Sequence, residues 1–144
     1  MCTAYSIKVN TICLNREPEE EGILRQAKEN GTGFIAFSPL AQGLLTNRYL
    51  NGIPDDSRIA KGGFLKKEAL TDEVLKKIKA LNELAIRRGQ TLAEMALAWI
   101  LKDDLVTSVI IGASSVGQLA DNLKAIDNTA FSAEELKNIY QIVK

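Results

Sequence analysis

The sequence of 144 residues contains no histidine at all. Without an imidazole, Ser-His-Asp hydrolysis and Cys-His proteolysis are excluded, and the commonest metal ligand is missing. Cysteine is also scarce, with Cys2 and Cys13 as the only two. Two thiols are too few for a disulfide framework or a zinc site, so inert thiols are the expected interpretation.

An excess of charge of one sign is absent too, since 18 basic residues balance 18 acidic ones. A nucleic-acid-binding protein normally shows a basic face, so we expect no nucleic-acid partner. No apolar run approaches the ~20 residues that span a bilayer, and the first residues lack the basic and apolar regions of a secretory signal. We therefore expect a protein of the cytoplasm with no membrane partner.

Three segments have the pattern of β-strands. Residues 7–14 are rich in β-branched types, and residues 106–111 form a second such run. Between them, residues 34–37 (FIAF) are short, apolar and bounded by Gly33 and Pro39. That pattern is typical of a strand buried on both faces of a parallel sheet.

Helix signals follow each of these strands. Proline and acidic residues at a first turn, left-handed residues at an end and capping boxes mark helix boundaries. They predict helices from Pro18 to Asn30-Gly31, from Thr71 to Gly89, from Thr91 onward, over residues 115–125, and from Ser132 onward.

The resulting order is strand, helix, strand, long loop, two helices, strand and two helices. Such alternation predicts an α/β fold with parallel strands and helical crossovers. Three strands cannot close a barrel and leave two open edges, so we expect residues 1–144 to form one partial domain of a larger structure. The loop over residues 38–70 is unusually long, and such loops are generally functional or mobile.

Ligands of parallel α/β folds bind where the strands end, and two strand ends here have unusual sequences. The segment SPLAQGLL begins at Ser38 and offers a hydroxyl, a rigid proline and a glycine that admits close backbone approach. On spacing alone, an ordinary Ser-Pro turn is the more favoured interpretation. The segment GASSVGQLADN begins at Gly112 and leads into a helix N-terminus, which favours a phosphate. Alternatively, Ser114 or Ser115 is simply the helix cap, and both interpretations can hold together.

These segments resemble, in order and spacing, signatures of the aldo-keto reductases. The resemblance rests on FIAFSPLAQGLLT, on RYLNGIPDDSR from Arg48 to Arg58, on ALAWIL and on GASSVGQLADN, and it runs from about Leu14 to the end. The subgroup it resembles contains bacterial glyceraldehyde-3-phosphate-type reductases and potassium-channel β subunits. The first 13 residues, by contrast, diverge from the family pattern.

The resemblance implies the C-terminal part of a (β/α)8 TIM barrel that binds NADP(H) across the carboxyl ends of its strands. By matching position, the nicotinamide and pyrophosphate end would be lined by Ser38, Pro39, Leu40, Ala41 and Gln42. The long loop would contribute Arg48 and Arg58, and the adenosine end with its 2′-phosphate would be held by Gly112, Ser114, Gln118, Asp121 and Asn122. Many relatives have an arginine where this chain has Ser115, which weakens the expected preference for NADP over NAD.

The family's catalytic tyrosine, lysine, aspartate and histidine belong to the first half of the barrel, whereas this chain starts near the sixth strand. Its tyrosines Tyr5, Tyr49 and Tyr140 do not match the catalytic position. We therefore expect no catalytic residue here, and a carbonyl substrate only if the other half is supplied.

Three hypotheses remain open at this point. The chain is a truncated or split oxidoreductase, a nucleotide-binding or regulatory module without chemistry, or a half-barrel that self-associates through its open sheet edges. Cofactor affinity and oligomeric state distinguish them.

Overall fold

A single parallel sheet with helices packed against it forms the framework. A computed structural model describes residues 21–57, 59–62 and 65–144 in full and residues 4–8 as backbone. The strands are β1 (Ala4–Lys8), β2 (Gly33–Phe37) and β3 (Ser108–Ile110), in the order β1–β2–β3. The helices are α1 (Ile23–Glu29), α2 (Asp72–Arg87), α3 (Leu92–Ile100), α4 (Val116–Leu123) and α5 (Ala133–Val143). The predicted order of strands and helices is confirmed.

The strand register aligns the carboxyl ends of the strands. Lys8 of β1 pairs with Phe37 of β2, and Phe37 pairs with Ile110 of β3. Thr107 extends the second pairing, because its backbone N–H donates to the Phe34 carbonyl at 2.9 Å and its hydroxyl accepts from the Phe34 N–H at 3.0 Å. The chain therefore leaves β2 and β3 at adjacent points of one sheet edge.

Capping residues set the ends of α2 and α3. The Thr71 hydroxyl accepts the Val74 N–H at the start of α2, and Gly89 follows its end in the left-handed region at φ 70°. At α3, Thr91 and Glu94 form the predicted capping box. Nearly every residue of α3 is buried, which is typical of a central helix that has neighbours on all sides. Within the described ranges, no helix is long and apolar enough to cross a membrane.

The expectation that β2 is buried on both faces is wrong. Phe34 and Ala36 are completely buried, whereas Ile35 and Phe37 are only partly buried. Successive side chains of a strand point to opposite faces. Among the described residues, the helices cover the face of Phe34 and Ala36, where these two join the core formed with α1, α2 and α3. Ile35 and Phe37 on the other face retain some contact with solvent.

The first strand and the first helix differ from their predicted bounds. β1 begins at Ala4 rather than at residue 7, and residues 9–20 lie outside the described ranges. α1 begins at Ile23 after Gly22, whose φ of 75° interrupts the single helix predicted from Pro18, and Pro18 itself lies outside the described residues. At the other end, Gly31 takes the left-handed conformation at φ 63°, while Asn30 does not.

The last strand and the helix after it are shorter than predicted. β3 spans three residues, where residues 106–111 were expected, and Ile110 is 57% exposed. β3 pairs only with β2 among the described strands, so one side of its ladder is open. α4 ends at Leu123, and residues 124–128 continue as a tighter 3₁₀ helix.

The long loop after β2 is packed rather than irregular throughout. It contains three 3₁₀ turns, at Ala41–Gly43, Asn47–Tyr49 and Lys67–Ala69. Leu44, Leu45 and Tyr49 are at most 1% exposed and belong to the main core. The loop therefore has a defined conformation, held by burial of its own apolar side chains.

Candidate functional site

Two loops begin side by side at the carboxyl edge of the sheet. We call residues 38–46 the Ser38 loop and residues 111–115 the Ser114 loop. They follow Phe37 and Ile110, which are paired partners in the sheet. Both loops that the sequence singled out therefore begin on the same edge, where parallel α/β folds bind their ligands.

The Ser38 loop has an unusual backbone. Ser38, Ala41 and Gln42 all lie in the left-handed region, at φ 57°, 47° and 59°, although none of them is glycine. Such conformations cost about 1–3 kcal/mol each and persist only where the surroundings enforce them. Because such conformations cluster at functional sites, the backbone makes this loop a candidate binding element.

Burial and hydrogen bonds enforce this conformation. The N–H of Gly43 and the N–H of Leu45 both donate to the Leu40 carbonyl, at 2.8 and 3.2 Å. The Thr46 hydroxyl donates to the Gly43 carbonyl at 2.7 Å. Within the loop, Ala41 is only 4% exposed, while Ser38 and Gln42 stay partly accessible. The loop is thus rigid and presents these two polar side chains at its surface.

The two serines of the Ser114 loop have different roles. Ser115 is the N-cap of α4, because its hydroxyl accepts the Gln118 N–H at 3.1 Å. Ser114 instead donates to the Gln118 side-chain oxygen twice, from its N–H at 2.7 Å and from its hydroxyl at 3.0 Å. Ser115 is therefore the cap of the two, and Ser114 and Gln118 close the loop as an exposed pair.

Three further predicted residues have distinct surroundings. Gly112 is exposed, and a Cβ built on it would meet nothing within 4 Å. Asp121 is exposed and pairs with Lys124 at 2.7 Å, a contact that raises the pKa of Lys124 through the hydrogen bond and the opposite charge. Asn122 is only 6% exposed, and its side-chain N–H₂ has no hydrogen-bond partner among the described residues. Gly112 and Asp121 thus lie at the protein surface, whereas the Asn122 side chain is buried.

The predicted cation Arg48 is already engaged by an acid of the same loop. Its guanidinium lies 2.5 Å from the carboxylate of Asp56, and the two side chains are 44% and 72% exposed. The hydrogen bond from Arg48 and its positive charge lower the pKa of the Asp56 carboxyl, with a smaller contribution from Lys61. Arg58, the second predicted cation, lies outside the described residues.

The structure brings most of the predicted residues to one sheet edge but does not group all of them. Pro39 and Ala41 are buried residues of the Ser38 loop itself, and Asn122 is a buried residue of α4. Sequence reasoning missed Asp56. The signal was present, because an acid pair at residues 55–56 lies in the same loop as two arginines expected to bind phosphate.

Sequence comparisons give a consistent assignment. A model described as the Aldo/keto reductase family matches residues 2–144. An L-glyceraldehyde 3-phosphate reductase of Escherichia coli (strain K12) is 52% identical over 132 residues, which cover 89% of this chain and 38% of that protein. A probable voltage-gated potassium channel subunit beta of Arabidopsis thaliana is 40% identical over 115 residues, or 78% of this chain and 35% of that protein. The chain thus spans little more than a third of the length of these relatives.

Structural comparison shows the same fold. A glycerol dehydrogenase of Gluconobacter oxydans matches with a TM-score of 0.76 over 97% of this chain and 42% of its own, at 23% sequence identity. The described residues thus have the architecture of part of a (β/α)8 barrel, with three parallel strands in an open sheet. This fold agrees with the expectation from the sequence.

Proposed function

Because the chain belongs to the aldo/keto reductase family, we propose that it is the NADP(H)-binding part of a carbonyl reductase. The Ser38 loop binds the nicotinamide and pyrophosphate end, with positive charge from Arg48 and Arg58. The Ser114 loop and α4 bind the adenosine end through Gly112, Ser114, Gln118, Asp121 and Asn122. The reaction of the complete enzyme is reversible hydride transfer between NADPH and an aldehyde or ketone.

The pairing of Phe37 with Ile110 is the observation that carries this proposal. It starts the two loops from neighbouring strands, so one extended dinucleotide can contact both. The open space above Gly112 supports the same assignment, since a backbone without a side chain admits close approach of a ligand. Asn122 contacts adenosine only if its enclosed side chain turns outward on binding.

We further propose that this chain alone is catalytically deficient. The sequence has no histidine, and Tyr49 is 1% exposed, so its hydroxyl cannot reach a substrate from the buried core. A positioned general acid contributes about 10²–10⁴-fold to a rate, and a chain that lacks one loses that factor. The remaining residues bind and orient the cofactor.

We expect saturable NADPH binding without appreciable turnover. Fluorescence titration with NADPH should give a Kd in the ~1 μM to 1 mM range usual for enzyme ligands. With methylglyoxal added, kcat should stay below about a hundredth of the ~10 s⁻¹ typical of enzymes. NADH should bind only modestly more weakly than NADPH, because Ser115 provides no positive charge for a 2′-phosphate. Turnover at an ordinary enzymatic rate would refute the deficiency, and failure to bind either cofactor would refute the proposed function.

Self-association is a second candidate, favoured by the exposed apolar residues near β3 and α4. Val116 is 86% exposed, and Ile110, Leu123 and Ile126 are 53–63% exposed. If these side chains form one patch, a soluble protein would rarely leave it uncovered. If two copies cover each other here, light scattering after size exclusion should give twice the monomer mass, and Leu123→Lys should return the monomer. A wild-type monomer across the micromolar range would contradict this candidate.

A further inference from the structure

The ion pair between Arg48 and Asp56 bears on ligand binding as well as on the stability of the loop. Both side chains belong to the long loop, eight positions apart, and both are substantially exposed. Arg48 is also suited to a phosphate, because guanidinium recognises phosphate and carboxylate with the same fork of donors. The Asp56 carboxylate therefore occupies the Arg48 guanidinium, which a phosphate of the proposed cofactor would otherwise bind.

We propose that Asp56 is an internal competitor that occupies Arg48 in the ligand-free protein and is displaced by a phosphate of the dinucleotide. This inference rests on the proposed function and adds a residue that tunes its affinity. Asp56 acts by holding the arginine and does not itself contact the ligand. Its effect is to weaken cofactor binding and to reserve Arg48 for a ligand with phosphate charge.

The backbone on both sides of the pair is anchored, so only side chains have to separate. The Thr46 hydroxyl accepts the Arg48 N–H at 3.2 Å while it donates to Gly43, which ties Arg48 to the Ser38 loop. Next to Asp56, Ser57 is completely buried, and its hydroxyl accepts the Ala60 N–H at 3.2 Å. Displacement therefore requires rotation of exposed side chains and leaves the loop folded.

The solvent exposure of Arg48 and Asp56 determines how strongly their ion pair can change the affinity for the dinucleotide. Solvent screens a pair of this kind, so it is weak compared with a buried ion pair. A phosphate carries more negative charge than a carboxylate and can replace Asp56 at the guanidinium. Releasing Arg48 in advance should tighten dinucleotide binding by about two- to fivefold.

The test compares Asp56→Asn with Asp55→Asn in the full chain. Both variants remove one negative charge from adjacent exposed positions, but Asp55 forms no ion pair with any other described residue. We expect Asp56→Asn to lower the Kd for NADPH about two- to fivefold in low salt, and Asp55→Asn to change it by less than about 1.5-fold. In an Arg48→Met background, Asp56→Asn should lose its effect.

The outcomes separate this inference from the proposed function. If the wild-type chain binds NADPH and Asp56→Asn binds no more tightly than Asp55→Asn, the competition is refuted while the cofactor site stands. A gain in affinity that survives in the Arg48→Met background also refutes it, since the effect would then not act through Arg48. If neither the wild type nor Asp56→Asn binds NADPH, both fail. If NADPH binds only to Asp56→Asn, the proposed function fails for the unaltered chain, and the inference that a dinucleotide phosphate displaces Asp56 fails with it.

Discussion

Replacing Arg88 with methionine should lower the free energy of unfolding by about 2–4 kcal/mol. Arg88 follows the last turn of α2, and its side chain is only 3% exposed. Its guanidinium lies 2.6 Å from Glu135 of α5 and donates to the carbonyls of Asn128 and Ala130 at 3.3 and 2.9 Å. Removing it leaves these acceptors with fewer donors and a partly buried carboxylate without its cation.

Two further contacts of Arg88 increase the expected loss of stability in Arg88→Met. The Nε of Arg88 donates to the Gln90 side chain at 2.9 Å, and its guanidinium lies 3.7 Å from the centre of the Phe131 ring. Methionine fills similar volume but replaces neither the donors nor the charge. The network connects the end of α2 with the segment before α5, so its loss should loosen the contact between these two helices.

Arg87→Met is the matched control, because Arg87 is exposed one position earlier. Substitution at such a surface site usually changes stability by no more than about 0.5 kcal/mol. Urea denaturation followed by circular dichroism gives both values. A loss below about 1 kcal/mol for Arg88→Met would show that this network contributes little.

The same network makes a pH prediction through Glu135. Burial alone would raise the pKa of Glu135, but hydrogen bonds from the Ser132 N–H, Arg88 and the Ser132 hydroxyl outweigh it, so the pKa is lowered from 4.5. A lowered folded-state pKa contributes stability above the unfolded value, and this is lost as the pH falls through the folded value. Stability should therefore decrease below about pH 4.5, and less steeply in Arg88→Met.

Gly112→Leu should weaken NADPH binding at least tenfold, a change of about 1.4 kcal/mol, without unfolding the protein. The added side chain would point into open space, and Gly112 is not among the glycines at positive φ. Stability should therefore change by less than about 0.5 kcal/mol. The leucine would instead occupy the volume through which, by the proposed function, a dinucleotide would approach the Ser114 loop.

Ala120→Leu controls for added apolar bulk, because Ala120 is exposed on α4 and has no assigned role in binding. Its Kd for NADPH should stay within about twofold of the wild type. Isothermal titration calorimetry measures all three proteins under one condition. Unchanged affinity in Gly112→Leu would show that the adenosine end of the dinucleotide does not bind at the Ser114 loop.

Local sequence signals were sufficient for much of the fold. The capping boxes at Thr91 and Ser132 fixed two helix starts to the residue, because the cap hydroxyl and the acid three positions later are both local. The single helix predicted from Pro18 is interrupted at Gly22 with φ 75°, a conformation that the local signals did not predict, and Pro18 itself lies outside the described residues. The partial exposure of Ile35 and Phe37 depends on which elements cover each face of the sheet. Local sequence patterns do not predict this coverage.

The sequence predicted only part of the candidate site. The two strand-end loops could be located because parallel strands end at one edge. Neither the strained backbone at Ser38 nor the engagement of Arg48 by Asp56 has a sequence signature, since both depend on how the loop packs. The same is true of Asn122, whose burial follows from the orientation of α4.

The central claim, that both loops form one site, is tested most directly by titrating the isotope-labelled chain with NADPH and following backbone amide signals by NMR. We predict that residues of the Ser38 loop and residues 112–118 shift together and fit a single Kd. Shifts confined to one loop, two unrelated binding curves or no shifts at all would contradict it.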